Sequence, residues 1–235
     1  MHPLTDDRFI VFGPQHLLVL GLFGLGCLAA ALAGSRLRAQ PRTEAWVGQV
    51  AGALILLACG PFEVFDWLHA VGHWRTALPV QICDFGWLVA GVALTTRSRT
   101  WSALLYYWGL TLCVQGVLTP DLDHVFPQVQ FFGYWLRHLA PPWAAVYLVG
   151  ARVGPSWRDY RVVVAVTVVV TGLAMVLNRA LGSNYDYLNA KPVTHSALDL
   201  LGPWPWYVGG EVVLIAGFWA LITWPWNRRR PAVSR

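Results

Sequence analysis

Charge is scarce in this chain. Only 12% of its 235 residues are charged, and lysine occurs once, at Lys191. Ordinary soluble domains carry about twice that share of charge, so an ordinary polar surface is excluded for most of the sequence. The four cysteines, Cys27, Cys59, Cys83 and Cys113, are far apart and form no C-x-x-C pair, which leaves no basis for a zinc ribbon or a disulfide framework. Glycine-rich phosphate loops, dinucleotide-binding fingerprints and G-x-S-x-G elbows are missing too. What the chain has instead is hydrophobicity: 56% of residues are apolar, 14% are aromatic, and mean hydropathy is positive.

A bilayer core about 30 Å thick requires about 20 apolar residues per helical crossing. Stretches near that length recur at residues 14–33, 46–69, 78–95, 101–118, 131–150, 160–179 and 205–226. Runs such as Gly52-Ala53-Leu54-Ile55-Leu56-Leu57-Ala58 do not alternate with period two, which argues for helices over a membrane barrel. The expected fold is therefore all-α: a polytopic membrane helix bundle of seven transmembrane helices in a single domain, 1–235. Six helices with a re-entrant segment is the alternative, because the third and fourth stretches are short. Residues 1–12 carry Asp6, Asp7 and only Arg8 before the first apolar run, unlike a basic signal-peptide n-region, so the first helix is expected to remain as an anchor.

Basic residues near span ends stay on the cytoplasmic side. Arg36, Arg38 and Arg42, then Arg97 and Arg99, then Arg152, Arg158 and Arg161, and finally Arg228, Arg229, Arg230 and Arg235 fall on one side, twelve of the 17 basic residues. The other side and its helix ends hold Arg8, Arg75, Arg137, Arg179 and Lys191, with Asp121 and Asp123. This asymmetry predicts an N-terminus outside and a C-terminus inside, in the cell membrane. It also explains the net charge of +5 by topology, with no nucleic-acid partner. A retinal protein is excluded as well, because Lys191 lies in a loop before Pro192 and cannot form a Schiff base within a bundle. The long outer connection at residues 180–204, with Gly182, Asn184, Pro192 and Pro203 as breakers and Tyr185, Tyr187 and Trp204 suited to an interface, is either a lid or a plain connector.

Polar side chains inside membrane spans are costly and raise a functional hypothesis. Glu63, Asp66 and His69 fall in the last turns of the second predicted helix, and Gln81, Cys83 and Asp84 in the first turns of the third. Gln115 lies near the end of the fourth, Arg137 and His138 early in the fifth, Asn178 at the end of the sixth and Glu211 early in the seventh. Alternating helix directions put all of them in the outer half. At a rise of 1.5 Å per residue, Cys83 and His138 lie roughly 8 and 10 Å below the outer surface. A thiol and an imidazole at one depth have the makings of a nucleophile and its base. Arg137, Gln81 or a nearby amide would hold an oxyanion, and Asp66, Asp84 or Glu63 would orient the histidine. The plain alternative is an intramembrane cysteine that serves as a small apolar residue, beside polar groups that bond one another.

His69 and His73 are spaced for a metal with Glu63 or Asp66, but Gly72 interrupts that helix, and interfacial histidines account for them better. His16, His124 and His195 read as interfacial or loop residues. No metal or organic cofactor is called for.

At the same positions the sequence resembles a known family. The blocks are Leu78-Pro79-Val80-Gln81-Ile82-Cys83-Asp84, Tyr107-Trp108-Gly109-Leu110, Leu118-Thr119-Pro120-Asp121, and Phe131-Phe132 followed by His138. Asn184-Tyr185-Asp186-Tyr187-Leu188, Lys191-Pro192 and residues 198–207 complete the set. In this order they are similar to the YwaF family of small bacterial integral membrane proteins, relatives of the eukaryotic transmembrane protein 164. That relative is described as a transacylase moving polyunsaturated acyl chains between phospholipids through a cysteine and a histidine. The resemblance implies Cys83 and His138 in these roles. Gln81 stands where the family commonly has a histidine, and Arg137 and Leu139 replace small residues beside the fifth-helix histidine.

The leading expectation is a lipid-acting transacylase or hydrolase, with membrane lipids as substrate, Cys83 as nucleophile and His138 as base. Arg137 and Gln81 would hold a head group or an oxyanion. A polar-solute binder or transporter, with Glu63, Asp66, Arg137, His138 and Glu211 lining a cavity, is the second, and a structural hydrogen-bond network the third.

Overall fold

The computed structural model describes residues 9–69, 71–73, 78, 80–191 and 197–228. Readings placed on Asp6, Asp7, Arg8, Arg75, Pro79, Pro192, His195, Arg229, Arg230 and Arg235 lie outside them. Among the described residues the fold is all-helical. The elements are α1 (Pro14–Leu37), α2 (Pro41–His69), a 3-10 turn (Ile82–Phe85) leading into α3 (Gly86–Thr96), α4 (Arg99–Tyr107), a π turn (Trp108–Leu112) leading into α5 (Cys113–Leu118), α6 (Val129–Gly150), α7 (Trp157–Leu181) and α8 (Trp206–Asn227). Counting α4, the π turn and α5 as one rod, seven helices result, a membrane helix bundle. Termini follow local chemistry: Pro14 opens α1, Ser156 and Asp159 form a capping box at α7, and Gly182 closes α7 in the left-handed region.

Among the described residues, four helices are long and apolar enough to cross a membrane: α1, α2, α7 and α8. They are little buried and present large apolar side chains outward, with Leu18 76% and Leu57 73% exposed. Apolar groups facing outward on this scale fit lipid as the surrounding solvent. α6 is the opposite case. It carries Arg137, His138, Pro141 and Pro142, and all four are buried. Enclosed by protein, it needs no uniformly apolar face.

One compact unit comprises Met1–Val64 with Cys83–Val153, the other Phe65–Ile82 with Gly154–Arg235. In the first, α6 is the hub, packed by α1, α3, α4 and α5. Small residues permit the close approaches: a Cβ on Gly150 would lie 2.6 Å from the Ala31 carbonyl oxygen, and one on Gly109 2.9 Å from that of Pro141. In the second, α7 and α8 pack together with the short 3-10 turns Tyr185–Tyr187 and Ala197–Leu201.

The predicted third helix is corrected. Leu78, Val80 and Gln81 are not helical, and Cys83 and Asp84 sit on a 3-10 turn rather than in the first turns of an α-helix. A proline at 79 disfavours helical backbone at Leu78, and Val80 N–H turns back to the Leu78 carbonyl at 3.0 Å.

Candidate functional site

His138 lies on α6, 5% exposed. Its Nδ1 stands 2.8 Å from the Tyr134 carbonyl oxygen one turn earlier. A carbonyl only accepts, so Nδ1 carries the proton and Nε2 presents its lone pair, the form a general base needs. The Tyr134 ring stacks on the imidazole with centroids 4.0 Å apart, and its hydroxyl donates to the Gly116 carbonyl at 2.9 Å. Gly116 makes room for the ring, since a Cβ there would lie 2.8 Å from Nε2. Pro141 and Pro142 lack the N–H groups that would bond the Arg137 and His138 carbonyls.

The half-buried Cys83 is held by its turn. Three residues later, Gly86 packs so closely that a Cβ would lie 2.6 Å from Cys113 Sγ and 3.1 Å from Pro141 Cγ. Farther along, Leu94 and Leu148 line one small cavity, so α3 and α6 run parallel. Three residues back from Gly86 is Cys83, and three back from Pro141 is His138. Cys83 and His138 therefore each lie three residues before a point where their two elements touch.

Arg137 is buried beside the histidine. Its Nε donates to the Gly133 carbonyl at 3.1 Å and its Nη1 to Glu63 Oε2 at 2.9 Å. Glu63 Oε2 also accepts from Trp87 Nε1 at 3.3 Å. α2 comes this close because Gly133 faces Phe62, where a Cβ would lie 2.8 Å from Cδ1. Glu63, Asp84, Cys83, Arg137 and His138 thus belong to the first unit. Asp66, Gln81 and Glu211, each half-buried, belong to the second.

Some residues carried more than their sequence position indicated. His16, read as interfacial, is fully buried: Nδ1 accepts from Phe12 N–H at 2.9 Å, and Nε2 donates to the Val117 carbonyl at 2.8 Å. His69 instead stays exposed and bonds the Phe65 carbonyl at 2.7 Å. Tyr134, Gly116 and Trp87 were not singled out, since only their neighbours across helices reveal them. The aromatic at i−4 from His138 was the one local signal.

Comparison with known proteins adds identity to this geometry. An "Uncharacterized protein" of Treponema pallidum (strain Nichols) is 28% identical over 121 residues, 51% of this chain and 50% of that protein. The chain thus spans about half the length of the curated relative it matches. No solved structure matches. The family model described as TMEM164 family matches residues 11–223, a stretch that includes every described part of the Cys83 and His138 surroundings, and the chain belongs to the TMEM164 family.

Proposed function

We propose that this protein is a lipid transacylase or hydrolase of the YwaF-like branch, crossing the cell membrane several times with its N-terminus outside and its C-terminus inside. The observation that supports the reading is the state of His138: buried, with its Nδ1 proton committed to the Tyr134 carbonyl and Nε2 left as a base, in the same compact unit as Cys83. His138 Nε2 takes the thiol proton, and the thiolate adds to an ester carbonyl of a lipid. The ester C–O bond breaks, the thioester forms, and the leaving alkoxide receives the proton from His138. A second lipid hydroxyl, or water, then attacks the thioester and restores the thiol. Exclusion of water from the acyl-enzyme favours transfer, and its admission favours hydrolysis. Arg137, oriented by Glu63, supplies positive charge near the developing oxyanion, and Asp84 lies one residue from the nucleophile.

Intact-mass measurement after incubation with mixed phospholipids tests this. Wild type should gain an acyl-sized mass that is absent in Cys83→Ala and fails to form in His138→Ala. If folded wild type shows neither adduct nor lipid turnover, the proposal is wrong.

A further inference from the structure

The thiol of Cys83 is carried on a 3-10 turn at the very start of the helical segment that continues as α3. The first donors of any helix lack intrahelical partners. Here the first N–H of the turn, on Ile82, donates to Asp186 Oδ1 at 3.1 Å, across 104 residues of sequence. The preceding segment is held the same way, with Leu78 N–H donating to the Tyr185 hydroxyl at 3.0 Å. Two consecutive side chains of one turn thus secure the backbone that leads into Cys83. Beyond Cys83 the chain is secured again, at Gly86.

The clamp is itself held from all sides. Asn178, 1% exposed, donates from Nδ2 to the Tyr185 carbonyl at 2.9 Å, and its Oδ1 accepts from Tyr185 N–H and the Ser183 hydroxyl, both at 2.8 Å. The Tyr207 hydroxyl donates to the Tyr187 carbonyl at 2.5 Å. Asp186 and Tyr187 have φ of 54° and 53°. Left-handed backbone is unfavourable for a bulky tyrosine, and it persists where the surroundings over-determine it. Asp186 Oδ2 is buried with no hydrogen-bond partner among the described residues. A carboxylate needed only to shape a turn would face water. This one accepts a desolvation cost and points its other oxygen at the Ile82 amide.

We propose that Asp186 is the positioning residue for the Cys83 thiol, acting through the backbone of the turn that carries it. The proposal rests on the reading of Cys83 as the nucleophile. A nucleophile is best held by groups that are themselves locked, and the Asn178–Tyr185–Asp186 network holds the first N–H of the turn that carries Cys83.

Alkylation of the full-length protein in liposomes by iodoacetamide, resolved cysteine by cysteine through peptide mass spectrometry, tests it. Asp186→Ala frees the Ile82 amide, and the Cys83 rate should rise about fivefold as the turn opens more often. Asp186→Asn keeps the accepting oxygen and should stay within about twofold of wild type. The half-buried Cys27 should keep its rate in both. An unchanged Cys83 rate in Asp186→Ala, equal effects in the two variants, or a parallel rise at Cys27 overturns the proposal. Should Asp186→Ala not fold, Tyr185→Phe, which removes the acceptor for Leu78, decides the matter by the same rise or its absence. In acyl transfer, Asp186→Ala should lower kcat about tenfold at unchanged KM, with Asp186→Asn restoring it; an effect confined to KM counts against positioning. Labelling needs no turnover. A Cys83 that is never acylated would therefore end the enzymatic reading while the clamp is still judged by its own rates.

Discussion

The Tyr134 carbonyl and His138 Nδ1 meet at 2.8 Å while the Tyr134 ring lies against the imidazole, so one residue sets both the tautomer and the plane of its neighbour a turn away. A histidine held twice loses little rotational freedom when a substrate arrives, and its remaining nitrogen has one direction in which to act.

Gly116 leaves no room for a methyl group beside His138. Gly116→Ala places a Cβ against the His138 ring, and it should abolish the acyl adduct and cost about 1–3 kcal/mol in stability. Gly24, with nothing within 4 Å of an added Cβ, provides the comparison. Gly24→Ala should stay within about 1 kcal/mol of wild type. Thermal unfolding in detergent, read alongside intact mass, separates the two effects.

The Arg137 and Glu63 pair should behave as a unit. Glu63→Gln removes a carboxylate that pairs with a buried guanidinium, and the expected loss is about 3 kcal/mol. The double variant Glu63→Leu with Arg137→Leu should lose less than Glu63→Leu alone. Melting temperatures of the four proteins of this cycle would reveal an independent pair if the losses simply add.

Asp186 should make stability depend on pH. It lies outside the spanning helices, and burial pushes its carboxyl up from 3.8 to about 6, against the opposing pull of the Ile82 N–H. The native state therefore binds this proton more tightly than the unfolded chain. The stabilisation is complete below pH 3.8 and is lost as pH rises through about 6. Acidifying from about pH 7 to about pH 5 should raise the melting temperature of wild type, and Asp186→Asn should flatten that part of the profile. Glu211 lies within electrostatic range of Asp186, so Glu211→Gln in the same scan shows how much of the slope passes through it.

Asn178→Ala removes the side-chain oxygen that accepts from Tyr185 N–H and one of the donors to the Tyr185 carbonyl, which also accepts from Leu188 N–H at 3.4 Å. Losing these buried hydrogen bonds should cost about 1–3 kcal/mol. Limited proteolysis should then cut the connection between α7 and α8 sooner than in wild type. Unchanged resistance would show that the turn is held without Asn178.

How much of this was legible in the sequence varies by element. The stretches 14–33, 131–150, 160–179 and 205–226 correspond closely to α1, α6, α7 and α8, because a lipid core demands apolar runs of a set length. The second helix begins earlier than expected, at Pro41 rather than 46, since proline suits a first helical turn. The fourth carries a π turn at Trp108–Leu112, for which hydropathy has no signal.

By itself the sequence determined the class of the molecule, all-helical and built for lipid, and the identity of the polar residues set within it. Composition alone suffices for that, because the bilayer as solvent penalises every unpaired polar group. Only the tertiary structure decided which of those polar residues meet. Glu63 reaches Arg137 across 74 positions, His16 reaches Val117 across 101, and Asp186 reaches Ile82 across 104. Hydropathy windows see a few neighbouring residues, whereas these bonds depend on how helices cross, and the crossings are set by small residues such as Gly86, Gly116 and Gly133 that let one backbone approach another.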